Sequence, residues 1–270
     1  MAVSKDPQKA TAGNPLSAVA RVAAVGVVGG AIMAAMAVPV VAGFGKASDV
    51  AAEQIGALPA ELATPPLPNR TYMLDADGNR IATLFDENRI EVPLSQISEN
   101  MQRAIVAVED ERFYEHNGVD VQGLIRAQLE NTASGSIRQG ASTLTMQYVK
   151  NVLVTAAADE DQVEAAVEQT TARKLQEIRY AVQVERELTK DEILNRYLNI
   201  AYFGSGAYGV EAASRRYFGH SANKLTPAEA ATLAGIVQSP VGYDPLINPE
   251  ESETRRNAVL AKMESLDYIT

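Results

Sequence analysis

Four carboxylates and a histidine crowd into eight positions: Glu109, Asp110, Glu111, Glu115 and His116. A carboxylate works as a general base when its pKa approaches the working pH, and partial burial supplies that shift. The preceding residues offer the burial. Met101, Ala104, Ile105 and Val108 recur at helical spacing, so a packed helix runs into the cluster and carries Glu109 at its C-terminal end. Asn117-Gly118 reads as the helix stop. A solvated acidic helix end has the same composition, and these residues alone do not separate the two readings.

Two further groups could do chemistry. In Arg138-Gln-Gly-Ala-Ser-Thr-Leu-Thr-Met-Gln-Tyr-Val-Lys-Asn151, Gly140 permits an unusual turn, and Ser142 or Thr143 can cap a helix. Lys150 follows two turns later. In Arg173-Lys-Leu-Gln-Glu177, the two cations and Glu177 are helix neighbours at i, i+3 and i+4, which fits either a site or a surface ion pair. Residues 154–172 between them are acidic and Ala-rich, and read as a mobile surface loop or a weak helix edging the site.

The elements that must hold these groups are mostly helical. From Ser95 onward apolar spacing follows the helix period. Ile193, Tyr197 and Ile200 form a stripe, Gly204, Gly206 and Gly209 a tight loop, and Thr226-Pro227-x-Glu229 a capping box. Ahead of them, Tyr72–Leu74 and Ile81–Phe85 flank Asp75-Ala-Asp-Gly-Asn79, a hairpin signal.

Composition bounds the rest. The chain has 270 residues, is 46% hydrophobic and contains no Cys, which excludes disulfides and Cys nucleophiles. His116 and His220 are too few for a His-rich metal site. Net charge is −10; Lys5, Lys9, Arg21 and Lys46 against Asp6 make residues 1–46 +3, which leaves −13 for the remainder. Such an acidic domain does not suit nucleic acid. Val22–Phe44 is 23 residues without a charge, about 34 Å as a helix and longer than a signal peptide core. It reads as a retained anchor, and the cations before it place residues 1–21 in the cytoplasm. The expected division is a tail over 1–21, a transmembrane helix over 22–44, a linker over 45–69 ending in Pro65, Pro66 and Pro68, and one domain over 70–270.

The residue patterns themselves resemble a known family. Glu109-Asp-x-x-Phe113-x-x-His116-x-Gly118 resembles the first signature of the peptidoglycan glycosyltransferases, family 51, the transglycosylase domain of class A penicillin-binding proteins and monofunctional transglycosylases. Residues 140–151 are similar to the second, Gly-Gly-Ser-Thr-x-Thr-Gln-Gln-x-x-Lys-Asn, with Ala141 and Met146 departing from it. Arg173-Lys-x-x-Glu177 resembles the third, Ile193-Leu-x-x-Tyr-Leu-Asn199 the fourth and residues 225–245 the fifth. Together they cover roughly residues 95–250.

The resemblance implies a mostly α, lysozyme-like fold of two lobes with a small β-hairpin, after one transmembrane helix. It implies a bacterial plasma-membrane protein, single-pass, with its catalytic domain extracytoplasmic. The implied reaction polymerises lipid II into glycan strands, inverting MurNAc C1 and releasing undecaprenyl pyrophosphate. Implied partners are lipid II, the growing strand, the membrane, and proteins of cell-wall synthesis or division. Glu109 is the expected base and Glu177 the second carboxylate, near the leaving phosphates and a divalent metal, Mg or Mn. Asp110, Phe113, His116, Arg126, Ser142, Thr143, Gln147, Lys150, Asn151, Arg173 and Lys174 are the expected substrate-binding residues. Two rivals remain, a lysozyme-like glycan hydrolase and a non-catalytic membrane-anchored scaffold. Lys150 with Arg173-Lys174 argues against the first, and intact Glu109 and Glu177 against the second. Ser221-x-x-Lys224 fits a transpeptidase motif, but no Lys-Thr-Gly follows, so it reads as chance.

Overall fold

The computed structural model describes residues 62–120, 122–123, 142–168 and 170–270. The expected tail, the transmembrane helix, most of the linker and Arg126 lie outside the described residues. Among the described residues no helix is long and apolar enough to cross a membrane.

The chain enters through a hairpin, β1 (Thr71–Leu74) antiparallel to β2 (Arg80–Leu84). Asp75 closes the turn by accepting from the backbone N–H groups of Asp77 and Asn79 at 2.9 and 2.8 Å. β1 is exposed along its whole length, and Tyr72, Met73 and Leu74 face solvent. A second pairing, unforeseen in the sequence, sets β3 (Asn88–Arg89) parallel to β4 (Ala207–Tyr208). Two-residue strands with no alternating pattern leave no period to detect.

The remaining elements are helices: α1 (Glu99–Glu109), α2 (Leu144–Ala156), α3 (Glu160–Val167), α4 (Thr171–Glu187), α5 (Lys190–Ile200), α6 (Val210–Phe218), α7 (Pro227–Ile236) and α8 (Pro249–Ser265). The capping box at Thr226 and Glu229 forms as its spacing predicts, and Thr189 with Glu192 makes another before α5. Of the two candidate caps before α2, Thr143 takes the role, accepting from Met146 N. Within the stretch read as loop or weak helix, α3 forms behind Asp159, whose side chain accepts from Gln162 N at 2.9 Å. Ser221 donates to Glu211 Oε2 at 3.1 Å and opens a 3-10 turn, a structural role that suits the chance reading of its motif.

α7 is apolar on every side because it is wrapped: it packs between α1 and α8, with Leu233, Ala234 and Ile236 fully buried. Gly235 lets α8 come close, since a Cβ there would stand 2.9 Å from Arg255 Cγ. α2 packs against α4 and α5, joining Tyr148, Val149 and Val152 to Ile193, Leu194 and Tyr197 in one core. Asn199 ties α5 to the incoming chain. Its Oδ1 accepts from Val92 N and its Nδ2 donates to Val92 O, both at 2.9 Å, an amide standing in for a strand neighbour.

Candidate active site

α1 ends at Glu109, earlier than the Asn117-Gly118 stop its sequence suggests. The cause is Asp110. Its backbone leaves the helical region, and its carboxylate is held by His116 Nε2 at 2.9 Å and by the backbone N–H of Leu144 at 3.0 Å. The chain then turns around Phe113, which is fully buried and lies under Lys190 Nζ, 4.5 Å from the ring centre. Burying a ring of that size contributes about 1.5–3 kcal/mol. Asp110, Phe113 and His116 were expected to touch substrate. The structure buries all three, with Asp110 bonded to His116 Nε2 and to the Leu144 amide and Phe113 under Lys190.

Glu109 itself is half-buried at the C-terminal end of α1. Its Oε2 accepts from Gln147 Nε2 at 2.8 Å, while Oε1 makes no hydrogen bond among the described residues. Burial pushes its carboxyl above the usual carboxylate range; Gln147, Arg255 and Lys150 oppose that shift, and Asp110 adds to it. The carbonyl end of the α1 dipole acts in the same sense as burial. Gln147 and Lys150 sit three apart on α2 and share the face toward Glu109. Within α2 the side chain of Lys150 makes no hydrogen bond or ion pair among the described residues, and neither does that of Asn151 beside it.

Three consecutive residues tie this group to the second one. Ser142 Oγ accepts from Lys174 Nζ at 2.5 Å, Thr143 Oγ1 donates to Gly118 O at 2.7 Å, and Leu144 N donates to Asp110. Gly118 has φ +87°, and a Cβ there would stand 3.0 Å from the Ala181 carbonyl, so this anchor needs glycine. On α4, Glu177 is buried with both oxygens on cations: Oε1 on Arg173 and Oε2 on Lys174 at 3.0 Å. Arg173 keeps one buried nitrogen, Nη1, with no hydrogen-bond partner among the described residues. A buried guanidinium N–H without a partner is costly, and an incoming anion would satisfy it.

The Glu177 carboxylate shows cations, not open oxygens, toward the place where a divalent metal was expected. Both Glu177 oxygens are occupied by cations, and no group of three His, Asp or Glu able to hold a metal exists among the described residues.

Two residues were missed in the sequence. Arg255 reaches Glu109's field from α8, more than a hundred positions away, with no pattern around it to mark it. Tyr197 stood in the apolar stripe and in the fourth signature, and neither marked its hydroxyl, which donates to Gln147 Oε1 at 2.9 Å. A cavity of about 500 Å³ lies on a different face of α2, lined by Tyr148, Val152, Asn195 and Asn199 with Pro65 and Pro66, and it holds neither Glu109 nor Glu177.

The chain matches the family described as Transglycosylase over residues 77–264. It belongs to the transglycosylase family. Penicillin-binding protein 1A of Escherichia coli is 42% identical over 204 residues, covering 76% of this chain and 22% of that protein. Penicillin-binding protein 1A of Aquifex aeolicus is 40% identical over 207 residues, covering 77% and 27%. Penicillin-binding protein 1F of Bacillus subtilis is 37% identical over 198 residues, covering 73% and 26%. The chain thus spans about a quarter of the length of the curated relatives it matches. A crystal structure of penicillin-binding protein 1A from Haemophilus influenzae aligns over 76% of this chain and 19% of that one, at 24% identity and a TM-score of 0.38. The transglycosylase match takes in Glu109, Glu177 and every described residue that the sequence put forward for the site.

Proposed function

We propose that this chain is a peptidoglycan glycosyltransferase that polymerises lipid II. The observation that carries the reading is the pairing of two unlike sites through residues 142–144. On one side stands a desolvated carboxylate with an open oxygen, and on the other two cations around the buried Glu177, with a guanidinium nitrogen unpartnered among the described residues. A base and an anion site are what a sugar hydroxyl displacing a pyrophosphate requires.

In this mechanism Glu109 Oε1 takes the proton from the GlcNAc 4-hydroxyl of lipid II. The oxygen attacks MurNAc C1 of the growing strand from the face opposite the leaving group. The new C1–O bond forms as the C1–O–phosphate bond breaks, and the anomeric centre inverts. Undecaprenyl pyrophosphate leaves with the negative charge, toward Arg173, Lys174 and Lys150. Glu177 fixes the first two cations in place. Two carboxylates with separate roles parallel inverting glycosidases, with a sugar hydroxyl in place of water.

The wider reading follows from the substrate. A lipid-linked donor and acceptor favour a lysozyme-like cleft between two lobes, an anchor over 22–44 and a catalytic domain outside the plasma membrane. Relatives named as penicillin-binding proteins are consistent with work on the cell wall, alongside its synthesis or division proteins. The test is polymerisation of purified lipid II by the full chain. Glycan strands that vanish in Glu109→Gln support the reading. Release of fragments from finished peptidoglycan, with no polymer from lipid II, would make the chain a hydrolase instead.

A further inference from the structure

Gln147 is the one described side chain that hydrogen-bonds Glu109, and its amide has two ends. Turned one way, its Nε2 donates to Glu109, which favours the ionised base. Turned the other way, its oxygen faces the carboxyl, which favours the protonated form. What decides the orientation sits behind it. Tyr197 is fully buried, and among the described residues its hydroxyl has a single hydrogen-bond partner, Gln147 Oε1 at 2.9 Å. A buried hydroxyl that loses its acceptor carries a desolvation cost. The hydroxyl therefore holds the amide oxygen on its own side and the amide N–H₂ on the side of Glu109.

We propose that Tyr197 is a positioning residue for the base, acting through Gln147 to keep Glu109 ready to accept a proton. The proposal deepens the glycosyltransferase reading and rests on it for the role of Glu109. The work it assigns to Tyr197 is real because the other influences are mixed. Burial and Asp110 favour the protonated carboxyl, whereas Lys150 from α2 and Arg255 from α8 favour the ionised one. Gln147 is the only group in that set whose influence reverses with its orientation. Tyr197's own ionisation lies far out of range, since burial and the Glu109 charge raise its pKa, so it acts as a fixed donor throughout.

The experiment compares Tyr197→Phe, Gln147→Met and the double variant in the full chain. Each is followed by the pH dependence of lipid II polymerisation and by infrared titration of the Glu109 carboxyl without substrate, identified by its loss in Glu109→Gln. In Tyr197→Phe the acid limb and the carboxyl titration should both move up by about half a unit to one unit, the scale of one neutral hydrogen bond. Gln147→Met should move them further. The double variant should match Gln147→Met alone, because Tyr197 acts only through that amide. An unmoved titration in Tyr197→Phe, or additive shifts in the double variant, overturns the proposal. The titration reads the carboxyl directly, so a chain that makes no polymer would sink the glycosyltransferase reading and still test Tyr197. Thermal melts confirm folding. Should Tyr197→Phe fail to fold, Tyr197→Met with the same titration replaces it.

Discussion

The backbone N–H of Leu144 donates to Asp110 Oδ2 at 3.0 Å, joining the residue after Glu109 to the first residue of α2. Because His116 shares the same carboxylate, one buried side chain sets both where α1 ends and where α2 begins. Asp110→Ala would leave the Leu144 amide and the His116 ring without an acceptor, at a cost of roughly 2–4 kcal/mol. Asp110→Asn keeps an acceptor for Leu144 and should lose less. Denaturant unfolding of the two variants gives the ranking, and an Asp110→Ala chain as stable as the parent would show that this contact does not hold α2.

Glu109 should trade stability for function. Its carboxyl titrates above the ordinary glutamate value of 4.5 because it is desolvated. Between 4.5 and the raised folded value, the folded protein keeps a proton that the unfolded chain has released. Stability therefore falls as pH rises through that window, and the deficit persists above it. Glu109→Gln removes the deficit. The variant should be more stable than the parent at pH 7, with the gap closing below pH 4.5, while polymerisation drops by about 10²–10⁴-fold. Melts across pH, run beside activity, check both halves. A Glu109→Gln variant less stable than the parent at neutral pH would contradict the desolvation argument.

How much of this was legible follows from what each residue does. Glu109, Glu177 and the cations at 150, 173 and 174 stand in dense local patterns, so their types and spacing exposed them. The α7 capping box and the β1–β2 turn were readable for the same reason, since their contacts span only a few positions. The inward turn of Asp110, Phe113 and His116 was not readable, because it depends on Leu144 and Lys190, which are distant in sequence. Arg255 and Tyr197 were invisible as site residues for that same reason. The sequence shows a tyrosine in an apolar stripe, and only packing shows which atom its hydroxyl meets.

Gly118 offers a local test of the three-residue tie. An added methyl would meet the Ala181 carbonyl at 3.0 Å, from a backbone at φ +87° that a side chain disfavours. Gly118→Ala should cost roughly 1–3 kcal/mol. It should also shift the carbonyl that accepts from Thr143, so activity at a temperature where the variant remains folded should fall as well. Unfolding curves paired with initial rates decide this. Full activity with lowered stability would confine Gly118 to packing alone.

The two lysines separate a surface ion pair from a leaving-group site. Lys174 bridges Ser142 and Glu177 with its side chain 41% exposed, which by itself describes an ion pair of little consequence. On that account Lys174→Ala would change stability by under about 0.5 kcal/mol and leave turnover alone. If the cluster receives the departing pyrophosphate, Lys174→Ala should slow polymerisation by roughly 10²–10³-fold, the scale of one missing transition-state donor. Among the described residues Lys150 has no such ion pair to lose, so its variant is the cleaner probe. Lys150→Ala should slow polymerisation and weaken binding of the phosphoglycolipid moenomycin together, because a phosphate in either ligand would draw on the same charge. It should also raise the acid limb of the rate profile, since that charge helps hold the Glu109 carboxyl down. Glu109→Gln, by contrast, should slow polymerisation with a smaller loss of inhibitor affinity, because the base meets a hydroxyl and not a phosphate. Measuring rate and inhibitor dissociation constant for both variants settles the assignment: unchanged affinity in Lys150→Ala places that lysine outside the phosphate site and leaves it only an electrostatic neighbour of the base.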